Sequence, residues 1–270
     1  MTSESDSRPE DLLVIAQRAA ISAAATLVGA IPSQRIARDP IAEDVVTDLD
    51  LSAEASIRDT ILSCRPDDGF IGEELGAISG QSGVEWIVDP VDGTINYIAG
   101  MPHWATSIAA RVADRVEAAI VHAPELECTY TALAGTGVWR NGLPLVPRRR
   151  RTRSLERAVV ATGFSARPEH RDDQLDELRH VLGIVRDVRS HGAASLELCA
   201  VAIGEIDAYY ESHLRCWDIA AGALVATEAG IDVSGNPWSG EGTLVAGPAG
   251  LAGPLRQLVA TGARVASGLA

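Results

Sequence analysis

The chain has 270 residues, 46% of them hydrophobic and 22% charged, with a net charge of −14. That is enough apolar material for a substantial core and more length than one average domain needs. Such an acidic balance argues against a general nucleic-acid binder, which needs a basic surface. No apolar run reaches the roughly 18 residues of a membrane span, so no membrane role is expected. The start, Met1 to Glu10, is polar and acidic and reads as a disordered lead-in, not a secretory signal. Cys64, Cys128, Cys199 and Cys216 form no Cys-x-x-Cys pair, so reduced thiols and a cytoplasmic location are expected.

Asp11 to Val28 carries apolar residues at helical spacing and predicts a long amphipathic helix, ended by Gly29 and Pro32. The acidic stretch Asp44 to Asp50 leads into a second helix, Leu51 to Cys64, which carries Glu54. Acids before a helix are ordinary caps and dipole partners, which accounts for at least one of Asp48 and Asp50. Phe70-Ile71-Gly72 predicts a short strand ending in Glu73-Glu74. Taken alone, Gly-Glu-Glu is most often a solvated turn.

Val84 to Val88 reads as a buried strand that stops at Asp89-Pro90, because proline cannot continue a central strand. Asp89 and Asp92 follow, with Gly93 and Thr94 directly behind. Two carboxylates at a strand end suit a hard divalent cation. The N–H groups of Gly93 and Thr94 could open a helix and face an anion, and the Thr94 hydroxyl could orient a water. For the bare Asp-x-x-Asp pair, a plain acidic turn is an equal alternative.

His103, beside Pro102 and Trp104, reads as structural more readily than as a ligand. The stretches 105–112, 116–123, 128–132 and 137–139 predict an antiparallel meander, with turns at Ala113-Asp114, Pro124-Glu125 and Asn141-Gly142. Pro147 to Arg157 is the one basic run, and all 23 basic residues of the chain are arginine. A solvated linker explains that run better than an anion contact. It marks a boundary between an N-terminal α+β half, 11–147, and a C-terminal α/β half, 148–270, of one catalytic unit. In the second half, strands are expected at 158–162, 185–188 and 206–211. Helices are expected at 168–182, 196–203, from the stretch opening at Cys216 to Ala229, and at 251–259.

The nonapeptide Asp-Pro-Val-Asp-Gly-Thr-Ile-Asn-Tyr, residues 89–97, closely resembles the signature of the inositol monophosphatase family of magnesium-dependent, lithium-sensitive phosphatases. Three further stretches resemble that family's motifs in the same order. They are Val46-Thr47 with Asp50, Gly72-Glu73-Glu74, and Cys216-Trp217-Asp218-Ile219-Ala220-Ala221-Gly222. Arg189 to Ala194 is similar to its glycine-containing substrate loop. The resemblance implies a layered αβαβα sandwich of the inositol monophosphatase and fructose-1,6-bisphosphatase type.

On the same basis, Glu73, Asp89, the carbonyl of Val91, Asp92 and Asp218 hold two or three Mg2+ ions. Asp50 and Thr94 activate an attacking water, which Glu73 contacts, and Glu74 stands behind Glu73. Asp48 is the alternative to Asp50. Substrate contacts fall on Asp92, Gly93, Thr94, Gly192, Ala193, Ala194, Glu211 and Asp218. The family usually has a basic residue on the loop before Asp50. Here the aligned position falls near Asp39, with Arg35 and Arg38 close by. The resemblance implies hydrolysis of a small phosphorylated polyol, foremost myo-inositol 1-phosphate, by a homodimer. Histidinol phosphate or another biosynthetic sugar phosphate, and a non-catalytic regulatory binding protein, are the competing expectations. An acidic calcium-binding or structural module ranks with them, below the enzyme.

Overall fold

Two helices open the fold, α1 (Pro9–Val28) and α2 (Asp48–Cys64). The computed structural model describes residues 8–30, 47–147, 154–235 and 242–266, with side chains through residue 260. The expectations for residues 1–7 of the lead-in, Pro32, the loop around Asp39 and the run Arg148 to Arg153 therefore fall outside the described residues; Pro9 and Glu10, expected in the disordered lead-in, instead open α1, where proline suits the first helical position. α1 buries Leu12, Ala16, Ala19, Ala20, Ala23 and Leu27, a stripe at helical spacing. By length and composition it could span a membrane, so the expectation that no segment reaches that length does not hold. Its buried stripe nonetheless packs into the main hydrophobic cluster beside α2.

α2 begins three residues before the expected Leu51. Thr47 is its N-cap, accepting hydrogen bonds from the N–H groups of Leu49 and Asp50. The Asp50 carboxylate accepts the Thr47 N–H in return at 2.7 Å. This reciprocal box satisfies donors that the helix itself leaves open, and so it sets the start.

An eight-stranded sheet follows, in the order β2-β1-β3-β4-β5-β6-β7-β8. Its strands are β1 (Gly69–Gly72), β2 (Gly76–Ile78), β3 (Val84–Asp92), β4 (Ala105–Val112), β5 (Arg115–Ala123), β6 (Cys128–Leu133), β7 (Gly137–Arg140) and β8 (Leu143–Pro144). β4 to β8 form the expected meander, and β1 runs parallel to β3.

β3 does not stop at Asp89-Pro90; it continues to Asp92. The proline is tolerated for two reasons. β1 ends opposite Val88, so beyond that point β3 has β4 as its ladder partner. The register with β4 also slips between the Asp89–Ser107 and Asp92–Ala105 pairs, and Pro90 sits in that irregularity. The Pro90 carbonyl is taken by the Thr106 hydroxyl at 2.9 Å. Gly93, in the left-handed conformation with φ 93°, then turns the chain into the short helix α3 (Thr94–Ala99).

The second sheet has the order β10-β9-β11-β13-β12. It comprises β9 (Val159–Ala161), β10 (Asp187–Arg189), β11 (Ala208–Ser212), β12 (Asp232–Ser234) and β13 (Thr243–Gly247). β10 lies one to two residues later than the sequence suggests. Around the second sheet stand α4 (Pro168–Leu182), α5 (Ala194–Ile203), α6 (Cys216–Glu228) and α7 (Ala249–Ala266).

Four apolar clusters define the layers. α1 and α2 cover one face of the first sheet. α5 and α6 lie between the sheets: Leu196, Cys199, Ala221 and Val225 meet the first, while Leu198, Val201 and Ala226 meet the second. α4 and α7 close the far face through Val181, Leu251 and Leu255. The architecture is the αβαβα sandwich that the resemblance implies. All four cysteines are unpaired.

Candidate functional site

β1 and β3 run side by side until Gly72 and Val88, and there they part. β1 turns away at Glu73, whose N–H still holds the Val88 carbonyl at 3.2 Å, while β3 goes on to Asp89. The carboxyl ends of neighbouring parallel strands thus diverge and leave room between them. The side chains of Glu73 and Asp89 meet across that gap in a hydrogen bond.

A cleft of about 590 Å³ opens here. Glu73, Glu74, Thr94, Glu211 and Asp218 line it, together with Ser165, Arg167, His170, His213 and Arg215. Asp89 and Asp92 are buried beneath it, with 2% and 7% exposure. Four elements remote in sequence therefore deliver acids to one place: the turn after β1, β3, β11 and the first turn of α6.

The electrostatics reflect that crowding. Burial drives the Glu73 carboxyl well above its ordinary range, and the charges of Asp218 and Glu74 add to it. Asp89 is driven well up by burial and then by Glu73, Asp92 and Asp218. Asp92 rises to about 6; burial is the main cause, opposed by hydrogen bonds from Ser195 and Ala194. Glu211 rises to about 8 through burial, although the Tyr209 hydroxyl donates to it at 2.7 Å.

Among the described residues, no three His, Cys, Asp or Glu side chains already stand as a closed metal cage. The donor set nonetheless fits a hard divalent cation. It is all oxygen, and the carboxyls of Glu73 and the buried Asp89 share one hydrogen bond where a cation would let both ionise. Glu73, Asp89, Asp92, Asp218 and the Val91 carbonyl are the residues that could hold it.

The remaining expected residues fall as follows. The Thr94 hydroxyl donates to the Val91 carbonyl at 3.0 Å. Asp50, 1% exposed, spends Oδ2 on the Thr47 N–H and hydroxyl, and its Oδ1 has no hydrogen-bond partner among the described residues. No hydrogen bond joins Asp50 to Thr94. Gly192, Ala193 and Ala194 do not line the cleft. They pack behind it, where a Cβ on Gly93 would lie 3.1 Å from the Gly192 carbonyl oxygen and 3.2 Å from the Ala193 Cβ. The Ala194 N–H donates to Asp92 at 3.1 Å. His103 is not in the cleft either; its ring stacks on His191 at 5.2 Å.

A model of the inositol monophosphatase family matches residues 8–266. This chain belongs to that family. It is 39% identical over 211 residues to the Nus factor SuhB of Haemophilus influenzae, covering 76% of this chain and 78% of that one. It is 39% identical over 224 residues to an inositol-1-monophosphatase of Rhizobium meliloti, covering 80% and 83%. Among solved structures it is similar to the extragenic suppressor protein suhB of Bartonella henselae. That match has 32% identity, a TM-score of 0.83, and coverage of 92% of this chain and 98% of that one.

Within this family member, the roles of several supporting residues escaped sequence reading, although Glu54 and Asn96 lie in stretches that carry the resemblance. Glu54 of α2 is fully buried and accepts the N–H groups of Glu74 and Leu75, both at 2.8 Å, fixing the turn that carries Glu73. Asn96 donates to the carbonyls of His103 and His191, both at 2.6 Å, tying α3 to the loop before α5. Ser195 lies inside α5 and is not its cap; its N–H and hydroxyl both go to Asp92 Oδ2. The signal for Ser195 was a serine directly after the glycine-containing loop Arg189 to Ala194, which by itself reads as a helix cap.

Proposed function

We propose that the chain is a magnesium-dependent phosphomonoesterase for small polyol or sugar phosphates, with myo-inositol 1-phosphate as the leading substrate. One observation carries this reading. Glu73, Asp89, Asp92 and Glu211 converge from distant elements, each held above its ordinary pKa by burial and by neighbouring charge. Acids crowded in this way, with Asp89 and Asp92 buried, are unfavourable unless cations share them.

Glu73, Asp89, Asp92, Asp218 and the Val91 carbonyl would hold two or three Mg2+ ions. When bound, these supply positive charge for the phosphate and lower the pKa of water. The chain's own groups do the rest. Thr94 lines the cleft and Asp50 keeps one carboxylate oxygen unpartnered, and we assign this pair the orientation and deprotonation of the attacking water. The backbone N–H groups of Gly93 and Thr94 steady the phosphate. Glu211, which lines the cleft and accepts the Tyr209 hydroxyl, is the contact to a substrate hydroxyl. The two halves, 11–147 and 148–270, act as one catalytic unit. The family resemblance carries the assignments of a homodimer, lithium sensitivity and a cytoplasmic location.

Histidinol phosphate and other biosynthetic sugar phosphates are the alternatives within this chemistry. A regulatory binding protein is a second reading, favoured by the 39% identity to a protein named a Nus factor. The test is phosphate release from myo-inositol 1-phosphate, with and without magnesium, for the wild type and Asp92→Asn. Magnesium-dependent release that is lost in the variant supports the enzyme. Release from another ester alone changes the substrate, and no release from any ester favours the binding protein.

A further inference from the structure

Glu197 does not line the cleft, yet it stands behind it. It lies in the first turn of α5, two residues after Ser195, and its side chain is 2% exposed. Its Oε1 accepts the His191 N–H at 2.8 Å and meets His191 Nδ1 at 2.9 Å. Its Oε2 has no hydrogen-bond partner among the described residues. Two nitrogens converging on one oxygen suit an ionised carboxylate, and the contact with Glu197 holds the His191 imidazole above its ordinary range.

The two members of this pair have different surroundings. Glu197 is enclosed, whereas His191 is 36% exposed along its side chain, on a cavity of about 260 Å³ that shares no residue with the cleft. Water therefore screens the positive member better than the negative one. The negative charge is felt inward. Burial is the main reason that Asp92, Glu211 and Tyr209 lie above their ordinary ranges, and the charge of Glu197 adds to each. The carboxylate is also held in place. Asn96 donates to the His191 carbonyl at 2.6 Å while Glu197 takes the N–H, so that residue is fixed from both sides. Ala194 and Ser195, which lie between His191 and Glu197, carry the N–H groups that hold Asp92.

We propose that Glu197 is a positioning residue of the cation site, supplying from the middle layer a buried negative charge that strengthens cation binding by Asp92 and its neighbours. The inference rests on the cation-site reading and deepens it. Groups behind a metal's direct ligands tune its affinity by orienting those ligands and by the field they add. Glu197 does both, through the loop that ends at Ser195 and through its own charge. Inside the protein that charge acts at low dielectric and is weakened little by salt. Glu197 touches neither the cleft nor the reacting atoms, so turnover at saturating cation should stay nearly as it is.

The experiment measures the magnesium dissociation constant by calorimetric titration of the full chain, with no substrate present. Glu197→Gln keeps an acceptor for the His191 N–H and drops the charge. Glu197→Asp keeps the charge, and His191→Gln removes the positive partner. Glu197→Gln should raise the constant about fivefold or more, near the lower end of what groups behind metal ligands contribute. Glu197→Asp should stay within about twofold of the wild type, and His191→Gln should leave the constant unchanged or lower it. If Glu197→Gln does not fold, Glu197→Asn set against Glu197→Asp makes the same comparison at the shorter length. An unchanged constant without the charge, equal weakening in Glu197→Asp, or weakening in His191→Gln overturns the proposal, because a residue that only clamps the loop gives those results. At saturating magnesium, kcat for myo-inositol 1-phosphate should stay within about twofold in Glu197→Gln, and a larger loss overturns the proposal by placing Glu197 in the chemistry. If the wild type binds magnesium but hydrolyses no ester, the phosphatase reading fails and the titration still decides the role of Glu197. A wild type that binds no magnesium overturns both.

Discussion

Ser195 donates both its backbone N–H, at 2.7 Å, and its hydroxyl to Oδ2 of Asp92, 103 residues earlier in the chain. Asp92 stands at the end of β3 in the first sheet, and Ser195 in the first turn of α5, the layer between the sheets. The carboxylate is therefore aimed by the middle layer of the sandwich. Because Oδ1 takes the Ala194 N–H, both oxygens are fixed without a positively charged partner. That arrangement holds a buried acid in place while leaving its charge available to a cation.

Asp92→Asn tests this directly. The amide keeps the shape but presents N–H2 toward one of the donors from α5, and it removes the charge. Magnesium-dependent turnover should fall by about 10²-fold or more, as for loss of an electrostatic group at the reacting centre. The melting temperature should drop only modestly. Wild-type kcat with magnesium in this variant would remove Asp92 from the site.

Glu54 makes a different prediction, because it touches the site only through the backbone. Its oxygens hold the N–H groups of Glu74 and Leu75, and Gly72 leaves them room: a Cβ there would lie 2.0 Å from Glu54 Oε1. Glu54→Ala orphans both donors at a cost of about 1–3 kcal/mol, read by urea unfolding. The freed turn should also raise the magnesium concentration needed for half-maximal activity. Gly72→Ala, which pushes the same carboxylate aside, should reproduce both effects. Unchanged metal dependence in both variants would separate Glu54 from the positioning of Glu73.

A second close approach concerns the substrate side. A Cβ on Gly163 would lie 2.0 Å from Glu211 Oε2. Gly163→Ala must displace that carboxyl or the strand beneath it, costing about 1–3 kcal/mol as an overpacked site. With Glu211 as the contact to a substrate hydroxyl, KM for myo-inositol 1-phosphate should rise severalfold more than kcat falls. Equal loss in both for this variant would place Glu211 in the chemistry instead of in binding.

Much of this was legible in the sequence, and the exceptions have physical causes. Period and turn residues located α1, the meander and most of the second half, because each buries one face and ends on a breaker. Asp89-Pro90 misled because proline's effect depends on what lies on each side of the strand, and the end of β1 opposite Val88 is a tertiary fact. The carboxylates were legible through the resemblance to the family's motifs. The roles of Glu54, Asn96 and Ser195 were not, since each acts by bonding backbone or side-chain groups far away in sequence.

The raised acids also govern stability. Asp92 at about 6 and Glu211 at about 8 both exceed the ordinary carboxyl values of 3.8 and 4.5. Glu73 and Asp89 are displaced in the same direction by burial and neighbouring acids. Between the ordinary and the raised values, the folded protein binds protons that the unfolded chain has released. Stability of the metal-free protein must then fall as pH rises through that window, from about 4 toward 8. On the proposed site, magnesium should reverse the trend by binding the ionised folded form alone. The melting temperature without metal should therefore be lower at pH 8 than at pH 6, and added magnesium should raise it more at pH 8. In Asp92→Asn the pH dependence should flatten on the side near 6 and keep the part near 8 that belongs to Glu211. A melting temperature that rises between pH 6 and 8 without metal would mean that these acids are ionised at little cost, and that no cation is needed to hold them together.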